Sequence, residues 1–297
     1  MMELTDTRLQ LALRAACEVA TRQGLKFEQA IVLQNFSNVI IHLAPISVVA
    51  RVSTTTGTIR TGDAWFAREV AISKYLTAAS APIIPLSSEL EAGPHHHLGL
   101  VLSFWQFVQI LDEPFDPHEA GQALRHCHEV LKEFSGELPV LALILEAQQL
   151  LDRLIAESEF TTEDAEMLLR ISERLEPRLR QFPMQPIHGD PHSGNVLNTT
   201  RSVLWTDWED VMIGPIEWDL ASLVAAPYVF GTDRDKVEMA LDGYGRSYNP
   251  EALALCIEAR TLVALVWTII LHRQHPDRSR QARIEGRLNW FRRREAG

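Results

Sequence analysis

Between Gln29 and Ser53 the chain reads QAIVLQNFSNVIIHLAPISVVARVS, in which two apolar β-branched runs flank the polar break QNFSN and a third follows Pro45. Short β-branched runs punctuated in this way predict a meander of three strands. Ahead of it, DTRLQLALRAACEVATRQGL carries Leu9, Leu13, Ala16 and Ala20 at helical spacing, with Gly24 at its close. Behind it, Asp63 is placed to cap a helix AWFAREVAISKYLTAAS whose inward stripe is Trp65, Glu69, Ile72 and Leu76. HLGLVLSFWQF then predicts a further strand ending in a crossover at Ser103 to Gln106, and His95–His97, beside Gly93 and Pro94, a turn.

From Pro117 the hydrophobic period changes. HEAGQALRHCHEVLKEF, ALILEAQQLLDRLIAES and TEDAEMLLRISERLEPRLRQF are amphipathic at helical spacing, the last opened by Thr161 and Asp164, and Asn249 with Pro250 opens a long helix towards His272. A small sheet with its helices, then a mostly helical remainder, predicts a bilobal α+β chain. Its expected parts are an N-terminal lobe over 1–105 and a helical C-terminal lobe over 106–297.

Charge narrows the partners. The net charge is −11, and acidic against basic residues number 8 and 8 over 1–105, 16 and 7 over 106–182, and 15 and 13 thereafter. An acidic middle third disfavours nucleic acid and is compatible with a cationic small molecule. No leader pattern opens the chain, and its longest apolar run, TLVALVWTIIL, is too short to span a bilayer, so no membrane is expected as a partner. Cys17, Cys127 and Cys256 are odd in number and far apart, which predicts core residues in a reducing, cytoplasmic setting.

Four features carry chemistry. Glu69 lies on an apolar helix stripe and Arg51 among valines on a strand, so each needs an opposite charge. Together they suggest an ion pair holding Arg51 towards a phosphate. The loop PIHGDPHSGNVL places Asp190 five residues before Asn195, and VLWTDWED places Asp207 after a short strand. An aspartate and an asparagine at strand ends can serve a hydrated Mg²⁺, which prefers oxygen ligands, leaving Asp190 to accept a proton from a substrate hydroxyl.

HGDxxxxN at His188 to Asn195, DW at Asp207 and Trp208, and GPIEWDLA from Gly214 resemble the aminoglycoside phosphotransferase and choline kinase family. The likeness extends upstream to NFSNVIIHL, VARV and REVAISKYL. It implies a protein-kinase-like bilobal fold with ATP or GTP bound between the lobes and Mg²⁺ as cofactor. By that resemblance Asp190 is the catalytic base, Asn195 and Asp207 are the metal ligands, Arg51 contacts phosphate and Glu69 pairs with it. His188 and Asp219 support the loop, and Ser103 to Trp105 supply hinge contacts to the base. The nucleotide-covering loop has no glycine, so Ser37 and Asn38 are the candidate donors there. The expected reaction moves a γ-phosphate to a small-molecule hydroxyl. Glu209, Asp210 and Glu217 are candidates for binding a cationic or amino-sugar-like acceptor. Two other readings stand beside it: a kinase-like nucleotide binder without turnover, and a metal-dependent hydrolase using His188, Asp190 and His192.

Overall fold

The computed structural model describes residues 2–36, 38–54, 64–231, 233–245 and 247–295, with side chains from residue 7. The chain divides into two compact units, one of Met1–Pro114 with Leu197–Glu209, the other of Phe115–Val196 with Asp210–Gly297. The return of 197–209 to the first unit follows from pairing: Trp205 bridges to Ile83, Thr199 bridges to Ile110, and Asn198 accepts the amide of Leu111.

The first unit opens with α1 (Met2–Arg22), followed by strands β1 (Gln29–Asn35), β2 (Asn38–Ala44) and β3 (Val48–Ser53), then helix α2 (Ala64–Ala78) and strands β4 (His95–His97) and β5 (Leu100–Gln106). The sheet is antiparallel, in the order β1-β2-β3-β5-β4. His95–His97 therefore form an edge strand rather than a turn, and His97 reaches Glu18 of α1 at 2.5 Å.

Period-two alternation divides the sheet's duties. Val39, Ile41 and Leu43 of β2, Val48, Ala50 and Val52 of β3, and Leu102 and Phe104 of β5 form one core with Ala12, Ala15, Ala16, Val19 and Ala20 of α1. The small side chains of α1 let it lie close against the strands. The other residues of β3 and β5 point away from that core: Val49 and Arg51 stand opposite Trp105 and Ser103 in register. The stripe Trp65, Glu69, Ile72 and Leu76 of α2 is buried throughout, while the proposed cap Asp63 lies outside the described residues.

In the second unit, Asp116 caps α3 (Pro117–Leu131), which is followed by α4 (Ala142–Ala156). Thr161 accepts the Asp164 amide at the start of α5 (Thr162–Leu179). Strand β6 (Gln185–Ile187) leads into the polar loop, after which the chain passes to the first unit, where β7 (Val196–Asn198) and β8 (Val203–Trp205) form a two-stranded sheet. Strand β9 (Met212–Gly214) pairs antiparallel with β6 and precedes α6 (Ile216–Phe230), α7 (Arg234–Tyr244), α8 (Pro250–Gln274) and α9 (Arg278–Glu295). Strand β6, which enters the loop, is thus held by β9, and β7, which leaves it, by β8.

Asn249 opens α8 by accepting the amides of Glu251 and Ala252. The helix continues the apolar pattern well beyond the eleven-residue run, and by length and composition its 25 residues are enough to cross a membrane. It is instead the core of this unit, packed by α6, α9, α4 and α5, with Leu255, Ile257, Leu262, Leu265 and Val266 buried. Helices α3 and α7 touch backbone to backbone. A Cβ at Gly121 would stand 2.1 Å from the Ala240 carbonyl oxygen, and one at Gly243 2.0 Å from that of His118.

Candidate active site

Two groups of polar side chains were expected to work together, and each has a defined geometry within its own unit. In the first unit, Arg51 projects from the face of β3 opposite the α1 core and its guanidinium is divided among three carboxylates. Nη1 donates to Glu69 Oε2, and Nη2 donates to Asp207 Oδ1 at 2.6 Å and to Glu209 Oε2. The ring of Phe66 lies 5.8 Å from the guanidinium carbon. Arg51 is 6% exposed and Glu69 fully buried, so this cluster is dry at its base and opens towards Asp207. Three carboxylates around one guanidinium make an anionic group of four side chains.

That environment moves both partners. Burial, and secondarily the negative charge of Asp207, push the Glu69 carboxyl up to about 7, although Arg51 opposes the shift. For Arg51 burial works against the charge, but Glu69, Asp207 and Glu209 outweigh it and hold the guanidinium protonated. Asp207 has a positive φ of 65°. A non-glycine residue in the left-handed region costs free energy that surrounding structure must offset, a condition concentrated at functional sites.

Ser103 and Trp105 share the face of Arg51. The Trp105 indole donates to Ser103 Oγ at 2.8 Å, and Trp105 packs with Val49, Ile84 and Leu204 in a small apolar cluster. Asn38 is buried opposite Ser53 in register, and neither Asn38 Oδ1 nor Ser53 Oγ has a hydrogen-bond partner. Ser37 lies outside the described residues.

In the second unit the loop His188–Asn195 is held from beneath. Gly189 has φ 91°, and a Cβ there would meet the Asp210 carbonyl oxygen at 2.1 Å, so the turn requires glycine. Asp219, fully buried in the first turn of α6, accepts the amides of His188 at 2.8 Å and Gly189 at 2.9 Å. The same carboxylate lies 2.8 Å from His128 Nε2, and His128 Nδ1 lies 2.8 Å from the Tyr244 hydroxyl. Asn195 Nδ2 donates to the Asp190 carbonyl oxygen at 2.9 Å, which closes the loop on itself.

Asp190 faces Arg260 of α8, whose Nη2 donates to Oδ1. Burial acts to raise the Asp190 carboxyl, but Arg260, then His192 and His188, more than offset it and hold it below its ordinary value. The charged form, which a proton acceptor requires, is thereby favoured.

Both histidines in this loop accept a backbone amide of the loop itself. His188 is fully buried, with Nδ1 accepting the Asp190 amide at 3.3 Å. His192 is half-exposed and uses Nδ1 to accept the Gly194 amide at 2.9 Å. Among the described residues no three His, Cys, Asp or Glu side chains gather as a metal site, so the geometry of the hydrolase reading is not assembled.

Each of the three residues expected to receive an acceptor has contacts within its own unit. Glu209 is engaged with Arg51. Glu217 is 6% exposed and accepts the Asn249 amide at 2.8 Å, supporting the start of α8. Asp210 presents its backbone carbonyl against Gly189. Arg260 and the pair His128–Tyr244 were missed from sequence. Arg260 did carry a signal: an arginine between Cys256, Ile257, Ala259 and Leu262, all buried, needs an anion by the same argument that singled out Arg51.

Comparison with solved structures places the fold among protein-kinase-like phosphotransferases. The chain is similar to an amicoumacin kinase, hAmiN, in complex with AMP-PNP, Ca²⁺ and Ami (TM-score 0.74, 13% identity, covering 99% of this chain and 96% of that one). It is similar also to a choline/ethanolamine kinase family protein from Mesorhizobium loti (TM-score 0.66, 16% identity, 98% and 94%). A third is spectinomycin phosphotransferase, APH(9)-Ia, in complex with ADP and spectinomycin (TM-score 0.61, 15% identity, 94% and 94%). No curated protein matches the sequence itself. These neighbours define the fold; the class, phosphotransferases with an alcohol group as acceptor, rests on the family match. The sequence model of the phosphotransferase enzyme family (APH) matches residues 60–256, about two-thirds of the chain, and the chain belongs to that family.

Proposed function

We propose that this protein transfers the γ-phosphoryl group of ATP or GTP to a hydroxyl of a small molecule, with Mg²⁺ as cofactor. The observation that carries the reading is the Arg51 cluster. A strand arginine and a helix glutamate, singled out for phosphate binding, meet the aspartate of the DW motif on one guanidinium. In this reading Arg51 contacts the phosphates and Glu69 fixes it, while Asn38 with Ser37, and Ser103 with Trp105, contribute to the nucleotide site. The printed ligands of the neighbours, AMP-PNP and ADP, support a nucleotide donor.

Within the first unit the chemistry suits the metal: Asp207 offers a hard oxygen donor of the kind Mg²⁺ prefers, and the carboxylates around Arg51 outnumber its charge. Asn195 of the second unit is the other proposed donor. When bound, Mg²⁺ neutralises charge on the transferring phosphates. Everything else falls to side chains. Asp190 accepts the acceptor's hydroxyl proton as the new O–P bond forms and the bond from the γ-phosphorus to the bridging oxygen breaks, releasing the nucleoside diphosphate. Asp219 and His188 keep the loop in place. Recognition of a cationic or amino-sugar-like acceptor is assigned to Glu209, Asp210 and Glu217 together with side chains not singled out from sequence. Three free cysteines support a reducing, cytoplasmic setting.

The test is a thermal-unfolding scan of wild type and Asp207→Ala with ATP or GTP, with and without Mg²⁺. A ligand at about a hundred times its dissociation constant stabilises by roughly 2.7 kcal/mol, a shift of several degrees. A Mg²⁺-dependent rise in the wild type that the variant lacks is expected. No rise with either nucleotide would overturn the reading.

A further inference from the structure

Arg260 stands in the middle of the core helix of the second unit, with a side chain 11% exposed. Its guanidinium makes three separate contacts around one peptide. Nη2 donates to Asp190 Oδ1, Nη1 reaches the Gly189 carbonyl oxygen at 3.4 Å, and the group lies 5.5 Å from the centre of the Trp218 ring. The Trp218 indole donates to the same Gly189 carbonyl at 2.7 Å. Arginine, tryptophan and the Gly189–Asp190 peptide therefore form a closed arrangement, and Trp218 is itself fully buried. This planar fork has one arm on the main chain and one on the carboxylate, a geometry an ammonium cannot reproduce.

The consequence is a division between the two oxygens of Asp190. Oδ1 is held by Arg260, whereas Oδ2 is turned towards the half-exposed His192, at 3.7 Å from its Nε2. An aspartate side chain free to rotate samples several staggered wells about χ1. The contact of Arg260 selects one.

We propose that Arg260 is a positioning residue for phosphoryl transfer, which fixes the Asp190 side chain by its Oδ1 so that Oδ2 receives the acceptor's proton. The inference rests on the phosphotransferase reading above and concerns orientation alone. Misplacement of a reacting group by about 1 Å can reduce a rate on the order of a hundredfold, so loss of the guanidinium is expected to act on turnover rather than on nucleotide binding.

The probe is Mg-ATP with water as acceptor, followed by release of inorganic phosphate, in wild type, Arg260→Ala, Arg260→Lys and Asp190→Asn. Arg260→Ala is expected to lower kcat by about 10–100-fold while KM for ATP moves less than about twofold and the Mg-ATP thermal shift is kept. Arg260→Lys is expected to keep part of the activity. Added guanidinium ion is expected to raise the rate of Arg260→Ala but not that of wild type or Asp190→Asn. A merely structural arginine would lose binding and turnover together, with no rescue, and that result would overturn the proposal. So would wild-type turnover in a folded Arg260→Ala, or Mg-ATP binding by wild type without any phosphate release. If Arg260→Ala fails to fold, Arg260→Lys decides by the same split of kcat from KM. If wild type binds Mg-GTP and not Mg-ATP, the same series is run with Mg-GTP; absence of binding of both would instead refute the phosphotransferase reading.

Discussion

Replacing Arg51 with methionine keeps most of its aliphatic bulk and removes its charge. Glu69 would then lie fully buried without that guanidinium, and Asp207 and Glu209 would lose the cation they share. The side chains of Arg51 and Glu69 are 8% and 0% exposed, so solvent screening does little to discount the loss. Breaking a buried pair by removing one partner costs about 3–5 kcal/mol, because the buried carboxyl left behind must either stay charged without its partner or take up a proton. At roughly 2–4 °C per kcal/mol for a chain of this size, the melting temperature should fall by about 6–20 °C. The double variant Arg51→Met with Glu69→Gln removes the buried charge as well, and should recover at least half of that loss, since isosteric replacement of a buried ion pair is often nearly neutral. Thermal unfolding followed by circular dichroism at pH 7, without nucleotide, separates the cases. A single variant within about 2 °C of wild type, or a double variant no more stable than the single, would refute the reasoning.

Two further perturbations test other parts of the structure. Gly189→Ala places a Cβ 2.1 Å from the Asp210 carbonyl oxygen at φ 91°, so a loss of about 1–3 kcal/mol is expected, read by urea unfolding, together with reduced turnover. Asp164 receives Arg292 through two bonds of 2.8 and 2.6 Å, which holds its carboxyl below the ordinary value. The folded-state value is the lower one, so the stabilisation is present above the unfolded-state value and is lost as pH falls through the folded one. Asp164→Asn should accordingly lower the melting temperature at pH 7 and narrow its gap from wild type below pH 4, and an unchanged gap would count against the pair.

Much of the site could be read from the sequence because charged residues broke apolar patterns. Arg51 among valines and Glu69 on a helix stripe each required a counter-charge, and the chain places them together. Arg260 obeyed the same rule, but in a helix that also carries Glu251, Glu258 and Arg273 a single arginine looks like an exposed position until the neighbouring elements are known. Carboxylates were harder to read. Glu217 caps the approach to α8 and Glu209 joins Arg51, and both depend on partners far away in the chain rather than on local spacing. For the same reason the link from Tyr244 through His128 to Asp219 left no local trace, since its members lie on three helices. The assignment of 197–209 to the first unit rests on single bridges to Ile83 and Ile110, which no periodicity announces.

The most direct test of the central claim is transfer of label from γ-³²P-ATP, in the presence of Mg²⁺, to a panel of hydroxylated small molecules by wild type and by Asp190→Asn. A labelled phosphate ester formed by wild type and not by Asp190→Asn, with the variant still stabilised by Mg-ATP, is the expected result. Equal labelling by both proteins, or nucleotide binding by wild type with no ester from any acceptor, would contradict it.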